Sequence, residues 1–401
     1  MSFRSPVSDV EFVLSAVVGY DQVVGTKRFE DAGAETVSAV LGEAGKLCDE
    51  ILAPLNRTSD LQGARLENGV VLVTPGFDTA YAAFSEGGWI GLAAPEARGG
   101  MGLPETVQFA VNEFLSGACL SFQLLPLLTQ GQIEALEAHA SEEIKALYMP
   151  KLLSGAWSGT MNLTEPQAGS DVGALRTKAE PNGDGSFKIS GQKIVISWGD
   201  HDLVENICHL VLARLPDAAP GTRGISLFMV PKYLPNPDGS VGMANSLNVV
   251  SLEHKMGLHG SPTAVMNYDG ATGWLVGPEN GGMAAMFTMM NAARLAVGFQ
   301  GIGVAEAAYQ KAAAFASERK QGAVGGTGAI IEFADVRRML MGMKADIFAA
   351  RAICYACGVA LDMEKATGDE AWVARAAFLT PIAKAFGSDV GVEVAGTGMQ
   401  I

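Results

Sequence analysis

The chain has 401 residues, 48% of them apolar and only 18% charged, against roughly 25% charged in soluble proteins at large. That balance excludes a disordered chain and supports a large buried core, spread over two or three domains at about 150 residues each. Lys and Arg number 28 and Asp and Glu 43, a net charge of −15; with no basic stripe to grip phosphates, nucleic acid is excluded as a partner.

The first 155 or so residues read as helical. Apolar residues recur at three-and-four spacing over 35–52, 107–120 and 142–153. Residues 114–133 carry no charge and are long enough to span a membrane. Gln123, Pro126, Gln130, Gly131 and Gln132 suit a buried helix with its connecting turn better, so no membrane span is expected. The N-terminal residues, with Asp9 and Glu11, hold no apolar signal core, which reads as a reducing, cytoplasmic protein.

From 157 to about 276 the period shortens. β-rich runs cover 187–196, 207–212, 225–230 and 264–268, separated by turn clusters at 181–185 and 235–239. Beyond 281 the chain is helical again, over 283–318, 332–366 and 371–395. Cys354 and Cys357 form a CxxC there, but with no second pair in an Ala- and Met-rich helix they read as core packing. His254 and His259, five apart in a Gly-broken loop, do not match a helical metal pair, and no metal site is expected. The order predicts an α+β multidomain fold: an N-terminal α-helical domain (1–155), a middle β-barrel-like domain (156–275) and a C-terminal α-helical bundle (276–401). Strands and helices do not alternate as a Rossmann sheet requires, and no GxGxxG follows a strand.

Two segments hold the candidate chemistry. Met161 to Gly173 is a strand breaking into a Gly-containing loop rich in hydroxyls and exposed N–H groups. It could bond the edge of a flat heteroaromatic ring or a small anion, or be an ordinary capped turn in which Ser170 and Asp171 satisfy local backbone. Gly191 to Gly199 is a strand ending in Ser197-Trp198-Gly199, either a lining strand or a plain hairpin strand.

Together, in this helix–β–helix order, the two segments resemble the acyl-CoA dehydrogenase family. The resemblance rests on Leu163-Thr164-Glu165-Pro166 followed by Gly169-Ser170-Asp171, on Gly191-Gln192-Lys193, and on Lys255-Met256-Gly257. Gly281-Gly282-Met283, Arg294 and Glu318-Arg319-Lys320 extend it over essentially the whole chain. Tyr148-Met149-Pro150-Lys151 and the stretch from Glu253 to Thr263 are similar to the subgroup acting on 3-methylmercaptopropionyl-CoA. The resemblance implies FAD-dependent α,β-dehydrogenation of an acyl-CoA thioester. An electron-transfer flavoprotein or similar acceptor would take the electrons, and the protein would be a homodimer or homotetramer.

It also implies residue roles. Met161, Leu163, Thr164, Gly169, Ser170, Val195, Ile196 and Ser197 would line the flavin, with Thr164 and Ser197 bonding its polar edge. Ser170 would also face the CoA arm. Asn291 and Arg294 would contact substrate, and the apolar flanks of Arg294 favour a buried partner or site over a helix-surface ion pair. Arg319 would reach the FAD pyrophosphate, a task suited to a forked cation, and Gly396 would approach the adenosine of a neighbouring subunit. Asn162 stands where small residues are usual, Gln321-Gly322 where Phe-Gly is usual, and Glu393 where Gln is usual. The family's catalytic Glu would lie beyond Ile401, and the alternative position is Ala293, so the chain reads as a fragment with an incomplete C-terminal bundle. Apolar positions near Ile347, Ile353 and Phe378 are therefore expected to be exposed. Glu165 and Asp171, the carboxylates nearest the flavin, are expected to be tied up in local hydrogen bonds. The alternatives are a non-catalytic flavin-binding relative or scaffold, and an acyl-CoA oxidase.

Overall fold

The computed structural model describes residues 2–322 and 328–401. Eight helices and seven strands carry the argument. Helices α1 (Val7–Ala16), α2 (Ala34–Lys46), α3 (Phe77–Glu86), α4 (Glu105–His139) and α5 (Glu142–Leu153) precede the strands. Next come β1 (Trp157–Asn162), β2 (Lys178–Pro181), β3 (Phe187–Ser197), β4 (Asn206–Arg214), β5 (Ile225–Pro231), β6 (Leu247–Leu252) and β7 (Thr263–Val276). Helices α6 (Gly282–Glu318), α7 (Ala334–Thr367) and α8 (Glu370–Gly398) close the described chain. By contacts the chain falls into two compact units, each drawing on separated segments. One takes Met1–Asn56, Gly102–Gln123 and Arg294–Ile401; the other takes Arg57–Met101 and Leu124–Ala293.

The second unit holds the sheet. β7 pairs with β3, β3 with β2, β2 with β4, β4 with β5, and β5 returns to the end of β7 at Trp274, Leu275 and Val276. The ring closes on itself, while β1 and β6, each paired on one side only among the described residues, remain as edge strands of the sheet. The barrel-like expectation holds, with one difference. β1 lies parallel to β4, and β2 meets β4 in parallel as well, so the sheet is mixed. The change to β character was expected at 157, although strand was named there only from Met161, and β1 occupies Trp157–Asn162. The interior is apolar, built from Ile189, Ile196, Val211, Phe228, Val230, Ala264 and Met266 among others.

One face of β1 departs from that rule. Ser158, Thr160 and Asn162, two apart and so on the same side of the strand, are all fully buried. Ser158 lies 2.9 Å from His201 Nε2, and Thr160 2.7 Å from His209 Nδ1. Burial, reinforced by the charge of Lys232, pushes both imidazoles down to about 3. An unfolded histidine titrates near 6.5, so between about 3 and 6.5 the unfolded chain binds more protons. Stability from this source is complete above pH 6.5 and lost as pH falls. At pH 5 each ring is expected to cost about 2 kcal/mol. The apparent urea midpoint should fall between pH 7 and pH 5, and the double variant His201→Asn, His209→Asn should flatten that slope. A wild-type midpoint constant over this range would contradict neutral buried rings.

The first unit is helical. α4 is the helix among the described residues long and apolar enough to cross a membrane, but 89% of its most apolar window is buried inside the molecule. It is two helical stretches meeting at a kink, where Cys119 leaves helical backbone (φ −158°, ψ 89°), in keeping with the expected helix and connecting turn. α7 presents Val336, Leu340, Met343, Ile347 and Ala350 as one buried stripe, so Ile347 is covered, contrary to expectation. Phe378 is exposed as expected, at 68%, and Ile353 lies between these extremes. Cys354 and Cys357 are buried against α8, facing the Ala383 carbonyl and the Thr380 hydroxyl. α6 and α8 approach backbone to backbone: a Cβ on Gly301 would sit 2.1 Å from the Gly387 carbonyl oxygen.

Candidate functional site

β1 ends at Asn162 because the next residues turn. Glu165 and Ala168 exchange backbone hydrogen bonds at 3.1 and 2.9 Å around Pro166 and Gln167. Proline second in a four-residue turn has its φ already set and no N–H to leave unpaired. The Glu165 carboxylate is the centre of this loop. It accepts from the backbone N–H of Arg176 (2.7 Å) and Thr177 (3.0 Å), the Thr177 hydroxyl (2.6 Å), the Gln167 amide (2.7 Å) and Lys193 Nζ (2.9 Å). Burial works against ionisation, but Lys193 and these donors win and hold the carboxyl at about 2. Burial also draws Lys193 down to about 8, despite the Glu165 charge.

The Thr-Glu-Pro loop and the Gly-Gln-Lys strand are therefore two halves of one device. Lys193 also donates to the Leu163 carbonyl (2.9 Å), and the Ile194 N–H to the Thr164 carbonyl (2.9 Å). Gly191 leaves the space that Thr177 occupies, since a Cβ there would stand 2.4 Å from the Thr177 hydroxyl. Glu165 is tied up as expected. Asp171 is instead exposed at the start of a short 3₁₀ turn.

β3 carries one extra residue against β7: Lys193 pairs with Met266 and Ile196 with Ala264. The bulge sits at Val195, whose φ of 53° is in the left-handed region. A β-branched residue there is strained. The strain turns Val195 outward, 49% exposed, while Ile196 is 2% exposed in the core. The sequence offered no glycine to announce this bulge. Trp198, also at φ 53°, is buried against Phe77 and His201 and bonds the Pro262 carbonyl. Ser197 is thus held between a bulge and an anchored indole.

The result is a short wall. Met161, Leu163, Thr164 and Ser197 are half-buried, and Val195, Gly169 and Ser170 are exposed. Among the described residues the hydroxyls of Thr164, Ser197 and Ser170 take no protein partner. Apolar surface flanked by unclaimed hydroxyl donors fits the polar edge and flat body of a flavin ring. Ile196 is corrected in one respect: its side chain faces the core, so only its backbone could meet a ligand.

The remaining candidates lie on other elements. Asn291 and Arg294, three apart on α6, share a helix face, and both are exposed. Arg319 is exposed just past α6, its N–H bonding the Phe315 carbonyl. Gly396 lines a groove of about 550 Å³ with Val297, Gly301, Val304, Val392 and Met399. Glu393 is exposed nearby on α8. Sequence reasoning missed Lys193 as a working residue, although its place in the Gly-Gln-Lys run was the available signal.

Comparison with known proteins agrees along the chain. Models of the N-terminal, middle and C-terminal domains of acyl-CoA dehydrogenases match residues 38–156, 160–271 and 280–401. The 3-methylmercaptopropionyl-CoA dehydrogenase of Ruegeria pomeroyi is 47% identical over 409 residues, covering 100% of this chain and 70% of that protein. A butyryl-CoA dehydrogenase of Syntrophomonas wolfei is 37% identical over 381 residues, covering 90% of this chain and 62% of that one. The solved butyryl-CoA dehydrogenase of Megasphaera elsdenii shares the fold at a TM-score of 0.74 and 23% identity, covering 91% of this chain and 87% of that one. With the hub, the wall and the domain matches all in place, the chain belongs to the acyl-CoA dehydrogenase family, whose members bind FAD.

Proposed function

We propose that the protein carries out FAD-dependent α,β-dehydrogenation of an acyl-CoA thioester, with 3-methylmercaptopropionyl-CoA the first substrate to try. The observation that carries this reading is the wall at the ends of β1 and β3, where a strained bulge and a saturated carboxylate hold unclaimed hydroxyls beside apolar surface. The substrate class follows the similarity to the Ruegeria relative. Bound FAD supplies a hydride acceptor for the substrate's β-carbon. Thr164 and Ser197 donate to the flavin's polar edge, and preset donors of this kind need no reorganisation as charge develops. Ser170 meets the CoA arm, Asn291 and Arg294 meet substrate, and Arg319 pairs with the pyrophosphate as a charge-assisted donor. Glu165 is not the base that removes the α-proton, because five donors already occupy its oxygens. A homodimer or homotetramer passing electrons to an electron-transfer flavoprotein or similar acceptor in the cytoplasm completes the reading.

The test is anaerobic. Adding 3-methylmercaptopropionyl-CoA is expected to bleach the oxidised flavin band of FAD-loaded protein only where a base other than Glu165 is positioned at the substrate's α-carbon. Bleaching by shorter or longer acyl-CoAs alone would reassign the substrate, and bound flavin that no acyl-CoA bleaches would favour the non-catalytic relative. Arg319→Ala is expected to weaken FAD binding about ten- to hundredfold, the range for a hydrogen bond to a charged group. Unaltered FAD affinity would remove Arg319 from the pyrophosphate role.

A further inference from the structure

Asn162 is fully buried, at a position where the family resemblance leads one to expect a small side chain. A primary amide shut away from water costs stability unless its donors and acceptor are matched. Here the partners come from within the sheet. The Tyr268 hydroxyl on β7 donates to Asn162 Oδ1 at 2.9 Å, and Asn162 Nδ2 donates to Thr160 Oγ1 at 2.8 Å. Thr160 in turn meets His209 on β4. The chain ends there, because His209 Nε2 has no protein partner. Tyr268 is itself buried to 2% exposure, so this is a cross-tie through the interior and not a surface contact.

Its place gives it a consequence. The two residues after Asn162 are held by their carbonyls from β3, Leu163 by Lys193 and Thr164 by the Ile194 N–H. Those bonds fix the loop relative to β3. The end of β1 is registered against β4, with Asn162 beside Val211, which leaves the peptide plane leading into Leu163 to be set. The Asn162 side chain sets that plane by tying the last residue of β1 to Tyr268 on β7, which lies two residues from Met266, the partner of Lys193 across the sheet. We propose that Asn162, anchored by Tyr268, is a positioning residue that sets Leu163 and Thr164 against the flavin. The inference rests on the flavin reading above and deepens it.

Tyr268→Phe removes the hydroxyl and little else. FAD binding by the whole protein is expected to weaken about three- to tenfold, as for one neutral hydrogen bond. The absorption band of the bound flavin should shift, a readout that general loss of stability does not move. In flavin-free protein, amide hydrogen exchange over 163–170 should quicken. Asn162→Ala, which also loses the bond to Thr160, should show at least these effects, and the double variant should not exceed Asn162→Ala, because the Tyr268 bond is already gone. If Asn162→Ala fails to fold, Tyr268→Phe decides alone. Wild-type affinity and band position in Tyr268→Phe overturn the positioning role, even if exchange quickens, because the tie is then structural only. Wild-type protein that binds no FAD overturns the flavin reading, and this inference with it.

Discussion

Replacing Glu165 by alanine is expected to destabilise the protein by about 3–5 kcal/mol, the usual cost of removing one partner from a buried ion pair. Glu165 is 4% and Lys193 0% exposed, so the ammonium left behind has no water to turn to. The N–H groups of Arg176 and Thr177 lose their acceptor in the same step. The pH dependence has a definite sign. Lys193, already drawn down to about 8 by burial, falls further without Glu165, well below its unfolded value near 10.4. The unfolded chain then binds more protons through the alkaline range, so the deficit is largest near pH 7 and shrinks as pH rises towards 10. Urea titrations of wild type and Glu165→Ala at pH 7 and pH 9.5 measure this. The double variant Glu165→Gln, Lys193→Met should recover more than half of the loss, because no buried charge remains. A single variant within about 1 kcal/mol of wild type at pH 7 would show that water reaches Lys193.

The helical unit has a counterpart of opposite charge balance. Arg351, 1% exposed, donates to Glu113 Oε1 at 2.9 and 2.7 Å and to Glu306 Oε2 at 3.1 Å, and the Tyr355 hydroxyl donates to Glu113 Oε2 at 2.9 Å. Burial works against the guanidinium's charge, yet the two carboxylates hold its pKa above the ordinary value. Arg351→Met leaves Glu113 buried without a cation and Glu306 with only Lys344 Nζ, at 3.8 Å. The expected loss is again about 3–5 kcal/mol, and its pH dependence runs the other way. Carboxyls left unpaired in the core bind protons more tightly folded than unfolded, so the deficit is largest at neutral pH and smaller near pH 5. Adding Glu113→Gln to Arg351→Met should recover part of it. An Arg351→Met deficit that grows on acidification would refute this account of the cluster.

These two clusters show what the sequence could convey. Thr164-Glu165-Pro166 and Gly191-Gln192-Lys193 were legible as motifs, because a turn with proline and a glycine at a close approach restrict residue types locally. Their union was not legible, since Glu165 and Lys193 are 28 apart and nothing local requires them to meet. Arg351 and Glu113, 238 apart, were invisible for the same reason.

By itself, the sequence determined the order of helical and β-rich regions and several of the longer elements within a few residues, through periods of 3.6 and 2 that follow from backbone geometry, but not the short strands at Lys178–Pro181 and Leu247–Leu252 or the full length of β7. It also carried the family, through short motifs whose turns tolerate few residues. Tertiary structure alone decided that the sheet closes, that β1 runs parallel to β4, that Val195 is forced outward by a bulge, and that Asn162 is tied to Tyr268. Each of these depends on which strand lies beside which. That choice is made by burying the apolar faces of all the strands at once, a condition that no window of sequence contains.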